Sequence, residues 1–281
     1  MSRKILVTGA SSGIGRATTV QLAAKGHTVF AAARRTDRLE ELARDTPGTI
    51  VPVTMDVCDQ GSIDRAVAAV AEHAPDGLDV LVNNAGYALT GPLETIAADA
   101  FRAQYATNVF GLFDVTRAFL PAMRRRRSGR VVNVSSLLGR MAIPGSGAYS
   151  GTKHAVEALS DALRMELRPF GVDVVVVQPG FTSTDIDTTR SMVDNAGTIP
   201  DYVRSERDIT AYLAGAEHAG ATAEQVASVL VRACLTDRPR ARYVAPATNA
   251  PVLKLLTGLP TTVSDRLKLR LIRAAGRQDA A

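Results

Sequence analysis

Tyr149 and Lys153 stand four residues apart in the stretch AYSGTKHAVEAL, so on a helix their side chains share one face. A phenol that titrates near pH 10 is a poor proton donor or acceptor at neutrality. An ammonium beside it favours the phenolate and turns it into a tunable acid–base group. Such pairs arise often by chance on helix surfaces, and position is what gives this one meaning. Thirteen residues before Tyr149, Ser136 ends the strand-like stretch GRVVNVSS, from where its hydroxyl can donate to a substrate carbonyl.

A second constellation opens the chain. ILVTGASSGIGRAT carries Gly9, Gly13 and Gly15 between an apolar run and a helical one. A strand, a glycine turn and a helix in succession aim backbone N–H groups and the helix's positive end at one spot, which suits a pyrophosphate. Gly9 allows the tight turn, Gly13 lets a ligand approach the backbone, and Gly15 lets the helix pack close to the strand. The loop residues Gly9, Ser11, Ser12, Gly13, Ile14 and Gly15 are therefore candidates for cofactor binding. The spacing Gly-x3-Gly-x-Gly differs from the commoner Gly-x-Gly-x2-Gly, and no Gly-Lys-Ser/Thr follows to make a P-loop. The next strand ends AAARRTDR. Ala33 occupies the place where an acid would accept from the ribose 2′-hydroxyl of NAD, and Arg34 and Arg35 beside it suit a 2′-phosphate. NADP(H) is the expected cofactor, in preference to NAD(H).

The elements that must position these residues follow from periodicity. KILVTGA, HTVFAAAR, TIVPVTMDV, LDVLVNNAG, GRVVNVSS and VDVVVVQPG are apolar at nearly every position, as parallel strands covered on both faces are. Helical patterns separate them, the longest being FRAQYATNVFGLFDVTRAFLPAM and KHAVEALSDALRMELRPFG. The expected fold is α/β, a Rossmann-type doubly wound parallel sheet in a single domain. Residues 1–250 form its dinucleotide-binding and catalytic body. Within it the polar stretch 185–222 reads as an irregular substrate loop or lid, followed by a helix over 223–235 and a strand near RYVAP. Residues 251–281 read as a basic amphipathic C-terminal extension of the same domain.

With 281 residues, 46% hydrophobic and 22% charged, the chain can bury one large core. Its longest apolar runs fall far short of a membrane span. Strand-like sequence begins at Lys4, leaving no room ahead of it for a signal peptide. Two cysteines without metal-ligand or CxxC spacing read as unpaired thiols of a reducing compartment. A cytoplasmic protein without a transmembrane segment is expected. The four histidines show no metal spacing, so no metal is expected. The formal charge of +5 raises the question of nucleic acid, with MRRRRSGR (Met123 to Arg130) as the obvious patch. Those cations follow a helix and precede a strand, so they sit at a helix C-terminus, where the macrodipole favours them, on the edge opposite the ligand site. Nucleic acid is not expected as a partner.

In this order the motifs TGASSGIG (Thr8 to Gly15), DV (Asp56, Val57), NNAG (Asn83 to Gly86), Asn108, SS ending at Ser136, YSGTK (Tyr149 to Lys153) and PGFTST (Pro179 to Thr184) resemble those of the short-chain dehydrogenase/reductases. The resemblance covers about Arg3 to Thr184. It implies that Tyr149 is the general acid of ketone reduction and the general base of alcohol oxidation. By the same resemblance Lys153 lowers the pKa of Tyr149 and binds the nicotinamide ribose, Ser136 polarises the substrate oxygen, and Asn108 holds a water that links Lys153 to solvent. It places Asp56 and Val57 near the adenine, Asn84, Ala85 and Gly86 along the adenosine, and Thr184 near the nicotinamide, and it adds Pro179, Gly180 and Thr182 to the residues that bind the cofactor. It further implies a homo-oligomer, dimer or tetramer. NADP-preferring relatives often carry a basic residue where this chain has Ser12, a departure that leaves Arg34 and Arg35 as the determinant. The substrate is expected to be a small hydrophobic carbonyl compound or alcohol. A nucleotide sensor with the same fold and little turnover is the alternative. DRLKLRLIRAAGR (Asp265 to Arg277) mixes leucines with cations and reads as an amphipathic helix, with peripheral membrane contact as a weaker alternative.

Overall fold

The structure is a computed structural model that describes residues 2–183, 191–192 and 199–278. Seven strands make one parallel sheet: β1 (Lys4–Thr8), β2 (Thr28–Ala33), β3 (Thr49–Thr54), β4 (Val80–Asn83), β5 (Gly129–Val134), β6 (Val172–Pro179) and β7 (Arg242–Ala245). Their spatial order is β7-β6-β5-β4-β1-β2-β3, so the chain reverses its winding between β1 and β4. That switch point leaves a crevice at the strands' carboxyl ends, which is where ligands bind in open α/β sheets.

Both faces of the sheet are apolar, as continuous hydrophobic runs require. Ile5, Val7, Val29, Ala31, Val132 and Val134 point to one side, where helices α1 (Gly13–Ala24) and α8 (Ala223–Leu235) supply Leu22, Val226 and Leu230. Leu6, Phe30, Ala32 and Val131 point to the other, against Ile63 and Val70 of α3 (Gln60–His73), Val115 and Phe119 of α5 (Leu112–Arg126), and Leu167 of α6 (Gly147–Leu167). The period of two along each strand thus builds two cores on a three-layer sandwich. The remaining helices are α2 (Thr36–Asp45), α4 (Ala98–Tyr105), α7 (Pro200–His218), α9 (Ala250–Gly258) and α10 (Thr261–Gln278).

Two expectations need correction. The long helix read over Phe101 to Met123 is interrupted, because a π-helical segment, Ala106–Gly111, separates α4 from α5. An inserted residue in a helix re-aims the side chains around it, and here the segment contains Asn108. The stretch 185–222 is not irregular throughout, since 200–218 form α7. Half-buried Tyr202 and Glu206 and buried Ile209 and Leu213 make its inward stripe at intervals of four, three and four, too thin a signal against the surrounding charge to stand out in sequence. Residues 184–190 and 193–198 of that region lie outside the described residues. The C-terminal segment, expected as an amphipathic extension of the same domain, is helical over Thr261–Gln278 and packs onto the body. Ile272 of α10 is buried with Leu138, Ile143, Ile209 and Leu213, and α10 lies so close to α7 that a Cβ on Gly276 would collide with the carboxylate of Asp208.

At the edge away from the crevice, Arg126 at the end of α5 and Arg127 and Arg130 just after it are occupied by backbone. Arg126 donates to the carbonyls of Asp76 and Leu78, Arg127 to that of Pro169, and buried Arg130 to those of Ala233 and Cys234 at 2.9 and 2.8 Å and to Asp173 at 3.0 Å. Arg130 thereby ties the end of α8 to the sheet, while Arg125 is exposed. Arg130→Ala should lower the unfolding free energy by about 2–3 kcal/mol because it strands buried carbonyls, whereas Arg125→Ala should stay within about 0.5 kcal/mol. Urea denaturation of the two variants checks this.

Candidate active site

A cleft of about 610 Å³ runs along the carboxyl ends of the strands. Its floor at one end is the glycine loop. Gly9 and Gly13 have positive φ, 67° and 50°, and a Cβ on Gly15 would collide with the carbonyl of Gly9 and with Asn84, so α1 can start this close to β1 only with glycine there. Ser12, the residue before α1, makes no side-chain bond to the helix's first amides, and no acid stands in the first turn. The positive end of α1 is therefore open to an anion, and the loop fits the pyrophosphate of a dinucleotide. Thr8 fixes the loop to its neighbour: its Oγ1 accepts from the N–H groups of Asn84 and Ala85, both at 2.9 Å, while Asn84 Nδ2 donates to the Thr8 carbonyl at 2.9 Å. Asn84 is thus committed to holding the loop.

Beside the loop, β2 ends at Ala33, and Arg34 and Arg35 line the cleft. Arg35 leans back to donate to Ser11 Oγ at 3.0 Å and Ser12 Oγ at 3.4 Å. Asp56 and Val57 line the same region, with Asp56 accepting from the N–H of Cys58 at 2.9 Å. Gly86 borders the cleft farther along, where a Cβ would meet Asn108 Oδ1 at 2.9 Å.

The other end of the cleft gathers the proton-bearing groups. Ser135 and Ser136 leave the end of β5 and are buried. Ser136 Oγ accepts from the N–H of Leu138 at 3.1 Å, and its own proton has only a long 3.5 Å contact to the Pro179 carbonyl. Ser135 serves the sheet instead, its N–H donating to Val177 at 2.8 Å. On α6, Tyr149 lines the cleft, and Lys153 Nζ lies 5.6 Å from the centre of its ring and donates to the Val134 carbonyl at 2.9 Å. Lys153 is 4% exposed. Burial pulls its pKa down to about 8, against the opposing field of Glu157 one turn along the helix. Asn108 is buried in the π-helical segment, where its amide exchanges two hydrogen bonds with the backbone of Tyr87 at 2.9 and 3.1 Å and donates to Thr152 at 3.2 Å.

Pro179, Gly180 and Thr182 line the cleft as well; Thr184 lies outside the described residues. Leu138, Met141, Phe181 and Leu213 make its apolar wall, backed by Ile143, Ile209 and Ile272. Sequence reasoning missed several supports of the site. Thr8 stood in the quoted glycine motif, and Glu157 at four residues from Lys153 was a visible helical neighbour. Tyr87 contributes through its backbone, which leaves no mark on residue type.

Lys153 also sets a pH dependence of stability. Its folded pKa of about 8 lies below the ordinary lysine value, so as pH rises the native state gives up the proton first and the unfolded state binds more protons. The burial penalty is complete below pH about 8 and is relieved between about 8 and 10. Urea unfolding of the wild type should therefore show stability rising across that window relative to Lys153→Met, by up to a few kcal/mol. Parallel curves for the two proteins would rule the buried ammonium out.

Residues 3–195 match the family model for short chain dehydrogenases. The chain is 33% identical over 270 residues to an NADPH-dependent 3-dehydrocapnine reductase of Ornithobacterium rhinotracheale, covering 94% of this chain and 95% of that protein. It is 35% identical over 277 residues to human retinol dehydrogenase 16, covering 94% and 86% respectively. Among solved structures, a short-chain dehydrogenase from Streptomyces avermitilis superposes with a TM-score of 0.80 at 32% identity, over 98% of this chain and 97% of that one. Fold, ordered motifs and relatives over nearly the whole length agree: the chain belongs to the short-chain dehydrogenase/reductases and is an oxidoreductase that uses a nicotinamide cofactor.

Proposed function

We propose that the protein catalyses NADP(H)-dependent interconversion of an apolar ketone or aldehyde and the corresponding alcohol, with Tyr149, Ser136, Lys153 and Asn108 as its working residues. The observation that carries this reading is the convergence of Ser136, Tyr149 and a buried Lys153 on the cleft whose far end is the open N-terminus of α1. The bound cofactor supplies the hydride to the carbonyl carbon. Ser136 accepts from Leu138 and so keeps its own proton for the substrate oxygen, which fixes the carbonyl beside Tyr149. Tyr149 gives its proton to the same oxygen during reduction and takes it back during oxidation. The ammonium of Lys153 near the ring stabilises the phenolate left behind. Asn108 positions this group by pinning the loop after β4 to α6 through Tyr87 and Thr152; we also assign it the water that links Lys153 to solvent.

The preference for NADP(H) rests on Ala33, Arg34 and Arg35. Ser12 is not basic, yet Arg35 reaches that place in space through its contacts to Ser11 and Ser12. The apolar wall of Leu138, Met141, Phe181 and Leu213 supports a hydrophobic substrate, and retinol, in the name of one relative, is an alcohol of that kind. No observation favours a sensor without turnover, since the four residues are all present and close to one another.

The test is NADPH oxidation with a panel of hydrophobic ketones and aldehydes. Tyr149→Phe should lose about 10²–10⁴-fold in kcat while still binding NADPH; unchanged turnover would remove Tyr149 as the acid. For the cofactor, Arg34→Ala with Arg35→Ala should weaken NADPH by about 10–100-fold and leave NADH nearly unaffected, measured as KM for each. Equal losses for both cofactors would show that the two arginines do not read the 2′-phosphate.

A further inference from the structure

A surface that combines exposed cations with exposed apolar side chains lies away from the cleft's floor, on α9 and α10. Of the chain's 33 Lys and Arg, six fall in residues 250–278, against one of its 28 Asp and Glu, so this segment carries the whole formal charge of +5. The lone acid, Asp265, is engaged by Lys268 at 2.9 Å, and Lys268 also donates to the Ala142 carbonyl. Lys254, Arg266, Arg270, Arg273 and Arg277 are exposed, and none of them makes an ion pair among the described residues.

Exposed apolar side chains are interleaved with those cations. Val263, Leu267 and Leu271 of α10 are 45%, 37% and 50% exposed, and Val252 and Leu255 of α9 are 56% and 58% exposed. On α10 these three residues recur at intervals of four and make one stripe, while Arg266, Arg270, Arg273 and Arg277 recur at four, three and four on the adjoining stripe. The opposite face, with Ser264 and Ile272, is buried. A helix already docked by one face has no structural need for leucines on another. Cations alone would suit any polyanion, but leucines set between them have nothing to bury against a sugar–phosphate chain; headgroups with acyl chains beneath them match both stripes at once.

We propose that the outer face of α9 and α10 docks on an anionic phospholipid bilayer, with the leucines entering the acyl boundary and the arginines pairing with phosphate groups. The placement is useful: α10 holds the loop after Ser136 through Lys268 and packs Ile272 behind Leu138 and Leu213 of the cleft wall, so a bilayer would lie beside the apolar half of the site. The docking itself does not depend on the identity of the substrate or on turnover.

The experiment is vesicle flotation of the full chain, with vesicles of phosphatidylcholine alone or of phosphatidylcholine with phosphatidylglycerol. Binding to the anionic vesicles should exceed binding to the neutral ones at least tenfold and should weaken as salt shortens the Debye length from about 10 Å at 0.1 M to about 3 Å at 1 M. Leu267→Ser with Leu271→Ser, and separately Arg266→Glu with Arg270→Glu, should each reduce it at least tenfold. All four positions are exposed, so the variants should keep the wild-type circular dichroism. No flotation at low salt, or flotation unchanged in both double variants, would overturn the proposal. Sedimentation velocity provides the other decisive arm: if the leucine variants change the oligomeric state of the protein free of lipid, the face is a contact between copies of the chain and the membrane assignment fails.

Discussion

A buried ammonium is the constraint around which the rest of this molecule is arranged. Removing a charge from water is costly unless other groups replace its hydration, and Lys153, 4% exposed, has its replacement drawn from several elements. The Val134 carbonyl at the end of β5 accepts from it directly. Glu157, next along α6, supplies the opposing charge, and is itself held by Gln178 of β6 at 2.8 Å and by Arg242 of β7 at 2.9 Å. Arg242 continues to Asp161. The last three strands and the long helix thus share one polar network, and the charge next to Tyr149 is kept in place by the edge of the sheet farthest from the glycine loop.

The other half of the site depends on closeness rather than on charge. Gly15 and the Gly9 carbonyl touch, Thr8 and Asn84 exchange hydrogen bonds across the β1–β4 switch point, and α1 begins with its amides open. These two devices sit at opposite ends of one crevice because the topology brings every strand's carboxyl end to the same side. A dinucleotide held by its phosphates at the glycine loop would therefore extend along the cleft toward Ser136 and Tyr149 at the other end.

The sheet and the order of its motifs could be read directly in the sequence, because a parallel strand covered on both faces is apolar at almost every position and cannot be mistaken for a surface strand. Tyr149, Lys153 and Ser136 were legible for a different reason: helical spacing and strand ends put chemistry-bearing types at predictable places. What failed to show were contacts made through the backbone and departures from ideal periodicity. The π-helical segment at Ala106–Gly111 looks in sequence like uninterrupted helix. Tyr87 matters through its main chain, and α7 hides its stripe of Tyr202, Ile209 and Leu213 among charges. The role of α10 was only half visible, since amphipathicity reveals that a helix has two faces but not which element claims the buried one.

That last point bears on how this chain distributes its cations. Arg126, Arg127 and Arg130 form a dense basic run, yet they are committed to backbone carbonyls at the far edge of the sheet. Their charge completes helix and strand ends that would otherwise be left unsatisfied. The arginines of α10 are more dispersed in sequence, but they line up on one side of the helix and face solvent. A basic cluster is therefore informative about partners only after the carbonyls within its reach have been counted. Arginine density along the chain marks cations that helix and strand ends already use, whereas arginine spacing on a helix whose other face is buried marks charge that faces solvent.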